Sequence, residues 1–415
     1  MGNYYTRVLI IFLLFFIFVF TSNKTETSKK IPFYEKELTD FNILKYGAKG
    51  DGVSDDTNAI IKAINAIKNE KGGRLIIPEG YIFNVTSTIY LTEINNVVIE
   101  GGGTLKWGGT DGEYDLINFH GNNIKGGESN KILVKDITIK NSPRFGIQIY
   151  GYGFNYDPHN IFIENVTTIN NKAGGIFINK AHDINISDCL NIGGYRHIGI
   201  GATKNYTDVY NIIIKNCSTS MTTQFGYQSY YGTNIKILDN NVDGAHTIEG
   251  DKSGITIDRT RDATVRNNTV RNAYQNIFIT GVTNVICKNN LTFGGNYGIQ
   301  VFYNNEPDED SIIKEANQVK VRNNQIISAA VAGIIFNGVV NSSITDNLIH
   351  EVPKNGSAIL LISSYRTGDN IIMDLNQINV EKNHSDGSII IDSKREPVVT
   401  LEKNKVAKVI YNRKN

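Results

Sequence analysis

Three features of the sequence predict an all-β fold, a single-stranded right-handed parallel β-helix that winds as a solenoid behind an N-terminal capping helix. A five-residue pattern recurs along most of the chain, each recurrence is followed by a second strand-like element, and helical periodicity is almost confined to one early segment.

The 415-residue chain opens with a single basic residue, Arg7, ahead of an uninterrupted apolar run from Val8 to Phe20. That run suits a signal-peptide core and falls short of the roughly 20 residues a spanning helix needs. Export is therefore expected, to the cell surface, the periplasm or the medium. No small-x-small cleavage site stands out, which keeps an uncleaved anchor open. Residues 1–22 are read as signal peptide or anchor, 23–40 as a flexible lead-in, and 41–415 as the β-helix domain. The 42 basic and 41 acidic residues leave a net charge of +1, so neither a nucleic-acid surface nor a polybasic membrane surface is indicated. The three cysteines are too few, and odd in number, for a disulfide framework.

The capping helix is expected within "YGAKGDGVSDDTNAIIKAINAI", Tyr46 to Ile67. Thr57 or Asp56 suits an N-cap, Ile60, Ile64 and Ile67 fall on one face, and Gly72-Gly73 ends the element. Such a helix covers the apolar cross-section that an open solenoid end exposes. Asp55 and Asp56 are accordingly assigned to the helix N-terminus rather than to a metal.

From about residue 132 the pattern apolar-any-apolar-any-Asp/Asn recurs, closing on Asp136, Asn165, Asp188, Asn216, Asp239, Asn267, Asn289, Asn323 and Asp346. The spacing, roughly 22 to 34 residues, is that of a solenoid coil. Each unit also carries a glycine–isoleucine strand such as "FGIQIY", "GGIFIN", "SGITID" or "YGIQVF". With two short strands per unit, a coil can bury its inward residues only against the coils above and below. Right-handedness follows from the chirality of parallel crossovers. The closing Asp or Asn sits where the chain bends, tolerating left-handed backbone. Cys189 and Cys217 each follow a bend residue in successive coils, so a stacked, buried pair of free thiols is expected.

The stretch "FNILKYGAKGDGVSDDTNAIIKAINAI…GGRLIIPEGYIF", Phe41 to Phe83, closely resembles the opening segment of the pectate-lyase-like superfamily of right-handed parallel β-helix proteins. The superfamily contains lyases, glycoside hydrolases, uronate epimerases and phage tail proteins. The resemblance thus implies a polysaccharide substrate and leaves the chemistry open.

Insertions after the second strand (151–159, 203–211, 303–318, 363–369) and one before it (243–252) are expected to wall a groove over the second-strand sheet. On that sheet Gln148, Tyr150, Phe177, Asn179, Thr256, Asp258, Phe278, Thr280, Gln300 and Phe302 should face outward. Tyr227, Tyr230 and Tyr231, in a coil without inward isoleucines, are expected nearby, and exposed rings suit sugar faces. The densest group of reactive types is Arg196, His197, Glu249, Asp251, Lys252, Asp258 and Arg259.

Three chemistries compete for it. In β-elimination on a uronate polymer, Arg196 would neutralise the carboxylate and His197 or Lys252 remove the adjacent proton. In hydrolysis, Glu249, Asp251 and Asp258 supply the carboxylates. In binding without turnover, the groups only hold the chain. Elimination is placed ahead of hydrolysis and epimerisation third. Where polygalacturonase-like hydrolases carry acidic motifs, this chain has Lys172-Ala173-Gly174 and Tyr195-Arg196. "YGFNYDPH", Tyr152 to His159, resembles the Tyr-Gly-Phe-Asp-Pro-His signature of mannuronan C5-epimerases with two residues inserted, and Tyr156, Asp157 and His159 are expected to rim the groove. For calcium the best local candidate is "NNEPDED", Asn304 to Asp310, and no metal site is assigned. The oligomeric state is left open.

Overall fold

The computed structural model describes residues 38–121, 129–152, 157–201, 208–244, 252–304, 315–366, 371–373, 375–393 and 397–413. Within them three parallel sheets of 14, 13 and 13 strands run the length of a solenoid, each coil adding one strand to each sheet. The coil at Cys189 is representative: His182–Ser187 lies in the first sheet, Leu190–Ile192 in the second and Arg196–Gly201 in the third. Three strands per coil replace the two expected. The missed strand has three residues and one inward side chain, too few to show alternation.

The register follows the apolar pattern. Ile161, Ile184 and Ile212 pair in one inward column and Ile163, Ile186 and Ile214 in the next. All six are at most 1% exposed. Burying each such side chain contributes about 1.5–3 kcal/mol, which no isolated coil could collect.

Every closing Asp or Asn of the repeat has left-handed backbone, φ 51–58° from Asp136 through Asp346. The bends also bond to one another: Asn165 Nδ2 donates to Asp136 Oδ1 at 2.7 Å and Asn267 Nδ2 to Asp239 Oδ1 at 2.8 Å. The residue after the bend turns inward. In the later coils it is asparagine, and Asn240, Asn268, Asn290, Asn324, Asn347, Asn383 and Asn404 form one continuous ladder of Nδ2–H···Oδ1 bonds of 2.9–3.0 Å. Each amide also donates to a backbone carbonyl, as Asn290 does to Val265 at 3.0 Å. These side chains satisfy corner backbone groups that would otherwise be buried without partners.

Cys189 and Cys217 occupy the same column before the ladder starts. Both are buried free thiols, as is Cys287 in an inward position of the first sheet.

The helix spans Thr57–Asn69 and buries Ile60, Ile64 and Ile67 against the first coils. Asp55 serves its N-terminus, accepting from Thr57 N at 3.0 Å and from Thr86 Oγ1 at 2.8 Å. Asp56 holds the N-cap position without capping by its side chain. Its carboxylate instead accepts from the backbone N–H of Lys49, Gly50 and Asn84, tying the preceding loop to the next strand. Gly50 is required there, because φ is +64° and a Cβ would lie 2.7–2.9 Å from Tyr81 and Phe83. Asp51 accepts from Val53 N, Ser54 N and Ser54 Oγ in a local turn, and those bonds lower its pKa to about 2. Among the described residues no group of three His, Cys, Asp or Glu side chains is placed to hold a metal. Among them, too, no helix is long and apolar enough to cross a membrane. The apolar run Val8 to Phe20 lies outside the described residues.

Candidate active site

The outward face of the third sheet is bordered by the chain's longest connections. Segments 121–129, 151–158, 202–209, 303–315 and 363–375 leave it toward the first sheet, while 108–116 and 244–252 enter it from the second. Parts of several of these lie outside the described residues. Near the helix-capped end, two connections face each other across described side chains, and a polar track joins them.

The track starts at the entry border. Arg144 lies over the Phe145 ring, 5.3 Å from its centroid, with Nε 3.9 Å from Asp115 Oδ1 and 3.6 Å from Glu113 Oε2. Asp115 is buried, and it accepts from Phe145 N at 3.2 Å and from Asn118 Nδ2 at 3.2 Å. Burial raises its pKa to about 6 against the opposing pull of Arg144. Asn118 Nδ2 also donates to Gln148 Oε1 at 2.8 Å. Two residues further along the same strands stand His120 and Tyr150, paired in register.

His120 is the centre of an aromatic pocket. It stacks on Tyr150 with ring centroids 5.5 Å apart and an interplanar angle of 12°, and meets Tyr90 and Tyr152 edge-on at 6.4 and 5.2 Å. His120 Nε2 and Tyr152 Oη are hydrogen-bonded at 2.8 Å. Burial lowers the His120 pKa, which holds the ring neutral. Tyr90 is 58% exposed and Tyr152 38%, so the pocket opens to solvent. Tyr152 is anchored from below: its N–H donates to buried Asp157 Oδ1 at 2.8 Å, and Lys180 Nζ donates to its carbonyl at 3.0 Å. A Cβ on Gly151 would sit 2.0 Å from the Lys180 carbonyl and 2.3 Å from Asp157 Oδ1, so only glycine admits this turn.

The residues expected at the centre are distributed differently. His197 does not face the groove. It is fully buried in an inward corner column whose neighbouring places are held by Gly175, Gly226 and Gly254, with its ring 5.4 Å from that of Tyr227. Burial pushes its pKa down to about 3. Tyr227 likewise fills an inward slot, pairing with Ile198 and Ile255, where the sequence suggested a groove residue. Arg196 faces outward but is enclosed by rings, lying 5.9 Å from Phe177, 4.8 Å from Tyr195 and 5.8 Å from Phe225, and donating to Gln228 Oε1 at 2.7 Å. The neighbouring outward positions, Gly199 and Gly201, are roofed by the Phe177 ring.

Asp258 and Arg259 form an ion pair at 3.3 Å. Arg259 lies over Tyr230 and Tyr231 and donates to both hydroxyls, so these four groups make one connected cluster. Phe302 faces outward beside Phe278, with ring centroids 5.7 Å apart. His159 sits on the first sheet at its border with the third, its Nδ1 3.0 Å from the Asp157 carbonyl and its ring stacked on His182. Lys252 is described, half-buried at the start of the third-sheet strand. Glu249, Asp251, Tyr156 and residues 305–310 of the calcium candidate lie outside the described residues. The structure thus does not gather the described members of the expected central group into an open cluster. His120, Tyr152, Asp115 and Arg144 were missed because they precede or flank the repeats. The one available signal was the Tyr152 to His159 signature.

Solenoid, capping helix and bordered third sheet together define a class: the chain has the fold of the pectate-lyase-like right-handed parallel β-helix proteins. The model of the rhamnogalacturonase A/epimerase, pectate lyase-like family matches residues 41–246. Among individual proteins, the pre-neck appendage protein of Bacillus phage phi29 is 25% identical over 357 residues, covering 76% of this chain and 39% of the phage protein. This chain therefore spans about two fifths of that relative's length. Exopolygalacturonase rpg13 of Rhizopus delemar is 39% identical over 100 residues, 22% of this chain and 27% of that one. The A-module of the Azotobacter vinelandii mannuronan C-5 epimerase AlgE4 superposes with a TM-score of 0.57 at 17% identity, covering 90% of this chain and all of that one, a likeness of fold.

Proposed function

We propose that this chain acts on a uronate-containing polysaccharide by removing the proton next to the sugar carboxylate, with elimination as the outcome. The observation that carries this reading is the 2.8 Å bond between Tyr152 Oη and His120 Nε2 in an open aromatic pocket. With Nε2 as acceptor, Tyr152 can take the substrate proton while passing its own to His120. The electron pair left behind is delocalised into the carboxylate, and the charge that develops there calls for a fixed cation. Lys180, held on the Tyr152 carbonyl, is a cation beside the pair. Expulsion of the glycosidic oxygen then takes the proton back through Tyr152, leaving an unsaturated sugar end and a free hydroxyl. Hydrolysis finds less support, since it needs two unencumbered carboxylates. Of the described outward groups, Asp258 is paired with Arg259 and Asp115 is buried beneath Arg144.

A second reading, C5 epimerisation, shares the first step and differs in returning a proton to the opposite face. The Tyr152…Asp157-Pro158-His159 sequence and the fold likeness to a mannuronan epimerase favour it. Two relatives carry names that specify uronate polymers, polygalacturonate and mannuronan. We further propose export, on the strength of the run Val8 to Phe20; N-terminal sequencing of protein recovered from the medium tests it.

The test of the function is a panel of uronate polymers followed by ultraviolet absorbance, reducing ends and, in D2O, deuterium at C5. Elimination gives the first two signals and epimerisation the third alone. Tyr152→Phe and His120→Asn should each lower turnover by at least about a hundredfold while the fold is kept. Reducing ends without absorbance, unaffected by either variant, would replace the proposal with hydrolysis.

A further inference from the structure

The arginine at the far end of the polar track has no role in the proton transfer. Among the described residues the Arg144 guanidinium makes only the two long ion pairs and the Phe145 ring contact described above, and no hydrogen bond. Glu113, one partner, is 93% exposed at its side chain and can swing away. Asp115, the other, already accepts from Phe145 N and Asn118 Nδ2, so it supplies charge without consuming the guanidinium's donors. Beside it on connection 108–116 stands Tyr114, one face stacked on Trp107 at 5.8 Å and 18°, and 47% exposed. Trp107 is itself fixed, its Nε1 donating to the Thr110 carbonyl at 3.1 Å. A half-exposed ring backed by Trp107, on the same connection as the two carboxylates that flank the Arg144 guanidinium, matches a sugar ring and its carboxylate.

We propose that Arg144 and Tyr114 form a carboxylate-binding subsite for an acidic sugar unit remote from the reacting one. The polymer then lies across the third sheet along the strand direction, from connection 108–116 to connection 151–158. The six-residue strand Phe145–Tyr150 separates the two ends, a span of roughly 17 Å that exceeds one sugar ring. The polar floor between them, Asp115, Asn118 and Gln148, is continuous. This inference deepens the proposed function by fixing the substrate as polyanionic along its length and by setting a minimum chain length.

The test measures binding of dimeric and hexameric oligomers of galacturonate, mannuronate, guluronate and glucuronate by calorimetry, on wild type, Arg144→Gln, Arg144→Lys, Tyr114→Ala and Tyr152→Phe. The best hexamer should bind wild type more tightly than its dimer. Arg144→Gln should cost that hexamer at least about tenfold in affinity and leave the dimer unchanged, with Arg144→Lys intermediate and Tyr114→Ala weakened in the same length-dependent way. Tyr152→Phe should retain the length dependence while losing turnover. Unchanged hexamer affinity in folded Arg144→Gln, equal weakening of dimer and hexamer, or no hexamer bound by wild type would each overturn the subsite. Length-dependent binding through Arg144 in a wild type that turns over none of these polymers would sink the catalytic reading and leave the subsite standing.

Discussion

His197→Asn separates a core histidine from a catalytic one. Among the described residues neither ring nitrogen of His197 has a hydrogen-bond partner, and the side chain is fully buried beside the equally buried Tyr227. Protonation would place an unpaired charge in the solenoid interior, which is why burial depresses the pKa from 6.5 to about 3. The unfolded chain takes up this proton below pH 6.5, whereas the folded chain refuses it until about pH 3. Stability is therefore unaffected by this residue above pH 6.5 and falls as the pH drops from 6.5 toward 3. At about 1.4 kcal/mol per pH unit traversed, the loss is roughly 2 kcal/mol at pH 5 and roughly 5 kcal/mol at pH 3. Asparagine occupies the same column at Asn276, so the replacement suits the site. Asp115 acts in the opposite sense: its folded pKa of about 6 exceeds the ordinary 3.8, so protonation there favours the folded state over that interval. The difference between wild type and variant is thus the quantity to measure, by urea denaturation at pH 7, 5 and 4. Parallel loss of stability in the two proteins would refute the buried, neutral assignment. Loss of turnover at pH 7 in a variant that stays folded would return His197 to the chemistry.

Asn290→Ala removes the acceptor for Asn268 N and Nδ2 and the donor to Val265 O and Asn324 Oδ1. With these buried groups and Cys287 Sγ, which also accepts from Asn290 Nδ2, losing partners and partial relaxation, about 3–5 kcal/mol should be lost in urea unfolding. Ile186→Ala should cost about 2–5 kcal/mol in the same assay, and a charged residue there should prevent folding. Replacing Asp55 and Asp56 together with asparagine should lower the melting temperature and leave turnover per folded molecule unchanged, because both carboxylates bind backbone and threonine groups at the helix entry. Arg196→Ala should likewise destabilise, by about 1–3 kcal/mol, through loss of its contacts with three rings. For the site itself, the acid limb of kcat/KM should fall below the ordinary histidine range near 6.5, since burial lowers the His120 pKa, and His120→Asn should abolish that limb.

Coils, bends, inward columns, the capping helix and the free thiol pair were all readable from sequence because each is enforced by repetition. An inward isoleucine at 161 must pair with those at 184 and 212, so one pattern is written several times over. The inner asparagine ladder lies in the same repeat, one position beyond the bend, but a polar residue next to a turn gives no sign of pointing inward. Outward positions carry no such redundancy. Gln148, Phe177, Gly199, Gln228 and Thr256 occupy successive places in one column, and nothing in the packing makes one predict the next.

That asymmetry explains why the expected centre and the observed pocket differ. Counting reactive residue types across nearby coils favoured 196–259, where charge is abundant, but charges on a sheet face meet each other first. Arg259 is taken up by Asp258, Tyr230 and Tyr231, and Arg196 by three rings and Gln228. The His120–Tyr152 pair instead joins residues 32 apart, on adjacent coils and outside the densest repeats. Its hydroxyl and ring nitrogen face each other because Gly151 alone allows the chain to turn over Asp157 and Lys180. Gly151→Ala is therefore a direct probe of the pocket. It should displace Tyr152 from His120 and lower turnover about as far as Tyr152→Phe, while the isoleucine columns beneath keep the solenoid folded. Full activity in Gly151→Ala would mean that the tyrosine–histidine bond is incidental and that the chemistry lies further along the sheet.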